Sequence, residues 1–163
     1  MSMEDWPAHR GPVVPGVRTY QLECMDRPDT HEADRAAIDA LRDRWVAVVA
    51  SGDVRELAEL VTPDYEVWTH GAPALTGPDT VVAAMGAVLT KYSVNQSYEP
   101  VETIIAGDWA FQRGIERIRV APKGGGAPQE TAQRALLILR RGADGRWRYA
   151  RGMTNGLPPT ASG

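Results

Sequence analysis

His70 closes the β-rich run Tyr65-Glu66-Val67-Trp68-Thr69-His70 and is, by type, the residue best suited to move a proton at neutral pH. Strand alternation sets Tyr65, Val67 and Thr69 on one face and Glu66, Trp68 and His70 on the other. If the face bearing Trp68 is the inner one, His70 lies inside with it as a candidate general base. The competing role is a rim histidine bonded to solvent. A second group, Gln112, Arg113, Glu116 and Arg117, falls on one predicted strand opposite Gln133 and Arg134 on the next. An Arg–carboxylate pair inside a small sheet can orient a water or polarise an epoxide or carbonyl oxygen. On the outer face the same residues make ordinary cross-strand charge pairs. Arg113 and Glu116 are offset by three residues, so only one of them points inward unless Gly114 marks a bulge. The candidate catalytic residues are therefore His70, Glu116 and Arg113.

The chain has five Trp and five Tyr but one Phe. Such a balance suits a pocket for a flat, partly oxygenated ligand, because the rings combine apolar area with an N–H or O–H edge; core packing is the alternative for each ring. The candidate ligand contacts are Trp45, Tyr65, Trp68, Gln133, Arg134 and Asn155, with Thr154 beside the last. No metal or cofactor is expected. His9, His31 and His70 are scattered without HxH or HxxxH spacing, and Cys24 is a lone cysteine. Gly124-Gly125-Gly126 lies between strands and not before a helix, where a phosphate-binding loop belongs.

These residues need elements to hold them. Gln133 to Asn155 reads as a long β-hairpin: the apolar run Ala135 to Leu139, turn chemistry at Gly142-Ala143-Asp144-Gly145, then Trp147, Tyr149 and Met153 alternating with Arg146, Arg148 and Ala150. Upstream, a helix starts near Asp29 or Thr30 with Ile38, Leu41, Trp45 and Val48 as its apolar stripe, and Gly52 ends it. Asp53 and Glu56 cap a shorter helix, carrying Leu57, Leu60 and Val61, that Pro63 stops. Thr76-Gly77-Pro78-Asp79 opens a third helix with Val81, Val82, Met85, Val88 and Leu89 buried. Strands follow over Ser93 to Ile105 and Trp109 to Val120, joined at Ala106-Gly107-Asp108. The order is α+β, with helices gathered on one side of a strongly curved antiparallel sheet.

At 163 residues with a formal net charge of −3, the chain suits one domain. It is expected over residues 29–156, with an N-terminal arm over 1–28 and a tail over 157–163. Acidic helices balance the arginines of the hairpin, which argues against nucleic acid as a partner. No apolar run is long enough to span a membrane and the first ten residues lack the apolar core of a signal peptide, so a cytoplasmic protein is expected.

The segments Asp39 to Asp53 (DALRDRWVAVVASGD), Leu75 to Val82 (LTGPDTVV), Gly107 to Gly114 (GDWAFQRG) and Asp144 to Asn155 (DGRWRYARGMTN) resemble the SnoaL-like, ketosteroid-isomerase-like branch of the nuclear transport factor 2 superfamily. The resemblance implies a conical α+β barrel, usually dimeric, with a pocket at its wide end. It implies no single activity, because the superfamily holds isomerases, polyketide cyclases, epoxide hydrolases and dehydratases as well as inactive binding domains. The steroid isomerase pattern of an aspartate base opposite a tyrosine and a protonated aspartate is not met: Val67 to His70 offers no carboxylate where the base belongs, and Leu136-Leu137-Ile138 stands where the acid belongs. Two readings stand. One is a cofactor-free isomerase, cyclase or hydrolase acting on an apolar oxygenated small molecule; the other is a non-catalytic ligand-binding or dimerisation module. A homodimer through the outer face of the sheet is expected from strands such as Leu136 to Leu139 that are apolar on both sides.

Overall fold

The computed structural model describes residues 28–157. The arm and tail lie outside the described residues except for Pro28 and Leu157, as do His9 and Cys24. Helix α1 spans Pro28–Ser51, beginning with the proline that the first helical turn tolerates. Ile38, Leu41, Val48 and Val49 recur at helical spacing on its buried face. Gly52, with φ of 82°, lets the chain turn out of the helix. The Asp53 side chain then accepts a hydrogen bond from the Arg55 amide and opens a 3-10 turn at Val54–Glu56. Helix α2 covers only Leu57–Leu60. It ends before Pro63, which instead lies within strand β1 (Val61–Thr69) where pairing with its neighbour is interrupted, so the missing N–H removes no ladder bond.

Strand β2 (Leu75–Thr76) and helix α3 (Pro78–Lys91) follow, then four long strands: β3 (Tyr92–Ala106), β4 (Trp109–Pro122), β5 (Gln129–Arg141) and β6 (Trp147–Gly156). They form one curved, unclosed six-stranded sheet in the order β2-β1-β6-β5-β4-β3. The expected antiparallel sheet holds with one exception, the parallel pair β1 and β6. Irregularities in register near Val101 of β3 and Ala150 of β6 each add one residue to a strand, which bends the sheet around the helices.

The helices pack into the concave face, and Ile38, Leu57 and Leu139 are almost fully buried there. One buried polar clamp fixes where α1 sits. The Asp34 carboxylate accepts from Arg141 Nη1 at 2.8 Å and from Trp147 Nε1 at 3.0 Å, tying the first turns of the helix to the two arms of the β5–β6 hairpin. Arg35 adds a bond from Nη2 to the Thr103 carbonyl on the edge strand β3.

Gly114 of β4 sits where the bulge of β3 brings Glu99 and Tyr98 close. A Cβ placed there would lie 2.3 Å from the Glu99 carbonyl oxygen and 2.7 Å from the Tyr98 ring. Backbone cannot yield as a side-chain tip can, so Gly114→Ala is expected to destabilise the fold by about 1–3 kcal/mol or more. Urea unfolding of the variant against the parent chain checks this, and an unchanged midpoint would show that the strands separate freely at this point.

Candidate functional site

A cavity of about 300 Å³ opens between the concave face and the helices. Trp45 and Val46 of α1 and Val81, Met85 and Val88 of α3 form its roof, and the inward residues of β1, β3, β4, β5 and β6 form its floor. The floor is laid out by alternation. On β4 the inward series is Gln112, Gly114, Glu116, Ile118 and Val120, and on β5 it is Gln133, Ala135, Leu137 and Leu139. In register, Tyr98 of β3 faces Glu116, and Glu116 faces Gln133.

Glu116 is the centre of the polar floor. Its Oε1 accepts from Gln96 Nε2 and its Oε2 from Gln133 Nε2, so carboxamides from both flanking strands hold the carboxylate. Tyr65, Tyr98 and Tyr149 surround it. Burial, and then the charge of Glu116, push the Tyr98 hydroxyl up to about 12, with Arg42 acting in the opposite sense. Burial raises Tyr65 and Tyr149 further still. All three phenols therefore stay protonated at physiological pH and serve as neutral O–H donors. The Tyr98 hydroxyl and the Thr154 hydroxyl are buried without a hydrogen-bond partner. Arg42 reaches the cavity from α1, donating from Nη1 to Asp39 at 2.6 Å and from Nη2 to Asp43 at 3.4 Å. Burial opposes its charge, but the bonds to Asp39 and then Asp43 leave its pKa above the ordinary value.

Of the residues singled out in the sequence, Glu116, Gln133, Trp45, Tyr65 and Thr154 line this cavity together. Trp45 stands edge-on to Tyr149, with centroids 5.5 Å apart. The others do not join them. The alternation of β1 is as expected, but its inner face is the one with Tyr65, Val67 and Thr69, because Val67 packs over Gly152 of β6. Trp68 is thus 55% exposed on the convex face, where its Nε1 donates to Glu66 at 2.6 Å. His70 is exposed in the turn beyond the strand and does not line the cavity, so its placement beside a buried Trp68 is corrected. Arg113 points outward to Glu102 at 2.6 Å, and Arg117 lies outward near Glu99. Arg134 and Asn155, register partners of β5 and β6, are both exposed. The residue added at Ala150 reverses the alternation of β6, turning Thr154 inward and Met153 and Asn155 outward. Gln112 is buried in the core, donating to Thr103 Oγ1 at 3.0 Å. Gln96, Tyr98 and Arg42 were not singled out. Among the described residues no group of three His, Cys, Asp or Glu is placed to hold a metal ion.

A roofed cavity in the concave face of an unclosed α+β sheet defines the nuclear transport factor 2-like, cystatin-like class of folds. Within that class the chain belongs to the SnoaL-like domain family, whose sequence pattern it matches over residues 43–150. It is similar to a conserved protein from Planctomyces limnophilus, at 29% identity and a TM-score of 0.72, over 77% of this chain and 99% of that one. It is also similar to a ketosteroid isomerase-like protein from Erwinia carotovora atroseptica, at 26% identity and a TM-score of 0.66, over 76% and 96% of the two chains. A nuclear transport factor 2-like superfamily protein from Salmonella enterica shares the fold at 14% identity, with a TM-score of 0.71 over 82% and 97%. No curated protein matches the chain.

The unpartnered Tyr98 hydroxyl gives a double prediction. Because its pKa is raised in the folded state, the stability it contributes by staying neutral is complete below pH of about 10 and is lost as pH rises through about 12. Tyr98→Phe removes that loss and also removes a buried hydroxyl that nothing satisfies. Its stability near neutral pH should equal that of the parent or exceed it by up to ~1 kcal/mol, and its advantage should grow in strong alkali. Urea midpoints compared near neutrality and near pH of about 11 check both parts.

Proposed function

We propose that the chain binds an apolar, oxygenated small molecule in this cavity and moves a proton on it without a cofactor, with Glu116 as the acid–base group. The observation that carries this reading is a carboxylate fixed by two carboxamides on the floor of a largely apolar cavity. Both its oxygens are oriented, and it is part-buried beside apolar walls, an arrangement in which a carboxylate can take a proton from a carbon or hydroxyl of a bound substrate. Tyr98, the cross-strand neighbour of Glu116, supplies a neutral O–H with no protein partner, suited to a substrate oxygen on which charge develops. The reaction class is isomerisation or cyclisation through an enol. A nearby protein of similar fold is named ketosteroid isomerase-like, which supports the class. His70 has no part in this mechanism. Its position outside the cavity also gives weight to a second reading, a binding module with no turnover.

The test is proton exchange. In deuterated buffer the parent chain should exchange the acidic C–H of small cyclic enones or diketones, followed by NMR. Glu116→Gln, which keeps the size and polarity of the side chain, should lower that rate on the order of 10²-fold or more while His70→Gln leaves it unchanged. Exchange by the parent at the buffer rate would favour the binding module.

The reading includes a homodimer. Trp68, Met153 and Leu136 are register neighbours across β1, β6 and β5 on the convex face, and Phe111 and Ile104 form a second apolar pair across β4 and β3, two residues away from the row that Leu136 shares with Arg113; each of the five is at least 42% exposed. Two such apolar patches on one face suit a second copy of the chain. Sedimentation should give a dimer at micromolar concentration and a monomer for Leu136→Glu, and a parent chain that stays monomeric would remove this part of the proposal.

A further inference from the structure

We infer that the ligand of this cavity carries a protonated amine seated against Glu116, and that the cavity rejects carboxylates and phosphates of the same skeleton. The inference rests on the reading of the cavity as a small-molecule site and develops the second reading above, the binding module, because a Glu116 carboxylate paired with an ammonium group holds the ligand and does not serve as the base. A buried charge is ordinarily met by an opposite one, because the cost of leaving water is repaid only by a close counter-charge or a full set of hydrogen bonds. Glu116 has neither. Its partners are two neutral carboxamides, each giving one N–H, so each oxygen keeps an open acceptor direction. No guanidinium or ammonium group among the described residues is ion-paired with it. Arg42, the one cation lining the cavity among the described residues, is already committed to Asp39 and Asp43 on its own helix. With the charge of Arg42 met by Asp39 and Asp43, the carboxylate of Glu116 is left to face an incoming group, and an anion placed beside it would meet like charge.

The walls point the same way. Trp45, Tyr65 and Tyr98 bring aromatic rings to the cavity that holds the carboxylate. The π-faces of such rings attract a cation, and attract it more strongly once it is desolvated. An ammonium group would gain the open acceptor positions of Glu116 together with this field, while its carbon skeleton fills the apolar part between α3 and the sheet. A neutral alcohol of the same shape gains only the burial and one hydrogen bond.

Three probes with one two-ring skeleton separate the terms: 2-naphthylmethylamine, 2-naphthalenemethanol and 2-naphthoic acid, titrated calorimetrically at neutral pH. The amine should bind on the order of tenfold or more tighter than the alcohol, and the acid most weakly. In Glu116→Gln the advantage of the amine should fall to about twofold or less while alcohol binding persists, which also shows that the variant is folded. The order in the parent chain decides by itself should that variant fail to fold. If the alcohol binds and the amine binds no better, or the acid binds best, the inference is overturned and the small-molecule reading survives. If none of the three binds, the reading of the cavity falls and the inference falls with it.

Discussion

The Asp34 clamp fixes where α1 lies in the concave face of the sheet, and the packing around the helix follows from that anchorage. Asp34, bound to Arg141 and Trp147, pins the start of α1 at the end of the sheet where β5 turns into β6. From there Ile38 and Leu41 pack down onto the sheet, and the space is filled. Further along, Arg42, Trp45 and Val46 rise over the ends of β3 and β4, and the space is not filled. A part-buried carboxylate acceptor shared by a guanidinium and an indole ties a small domain firmly, since both donors are directional and one is charged. The cavity lies along the middle of α1, between the Asp34 anchor and the buried Val48 and Val49, with α3 completing its roof.

What makes this cavity a site and not a packing defect is its charge. An apolar cavity of this size would cost stability and offer nothing specific. Here a carboxylate stands in it, on β4, and the neighbouring strands both supply carboxamides to hold it. Three tyrosines share the space, and burial combined with that charge keeps their protons on. The arrangement pairs a fixed acceptor with neutral donors, while Arg42, the cation that lines the cavity among the described residues, is held on the helix by Asp39 and Asp43. Hydroxyls left without partners, at Tyr98 and Thr154, fit the same pattern, because a fold selected only for stability would pair them or replace them.

The fold was legible because its signals are local. Caps, the apolar stripe of α1 and the turn chemistry at Gly107 and Gly145 each act over a few residues, and each places an element to within a residue or two. The site was legible only in part, because it depends on which face of each strand is inner. For β4 and β5 simple alternation suffices, and Glu116 and Gln133 follow. For β1 the larger side chain, Trp68, suggested the inner face, whereas Val67 is the residue that fits against Gly152. For β6 an added residue at Ala150 reversed the alternation, exchanging Asn155 for Thr154. For β3 the same event hid a partner. Counting back from the Gly107 turn sets Glu99 opposite Glu116, two carboxylates that would repel, and the bulge at Val101 replaces Glu99 with Tyr98.

That bulge joins the stability of the sheet to the chemistry of the cavity. It draws β3 so close to β4 that only glycine fits at position 114, with the Tyr98 ring and the Glu99 carbonyl occupying the space of a side chain. The same shift turns Glu99 out toward Arg117 and Tyr98 in toward Glu116. A regular β3 would pack more comfortably and accept any residue at 114, but it would put a second carboxylate beside the first and leave the phenol outside. The crowding at Gly114 is therefore the structural cost of setting a neutral donor, and not a like charge, next to the one carboxylate on the cavity floor.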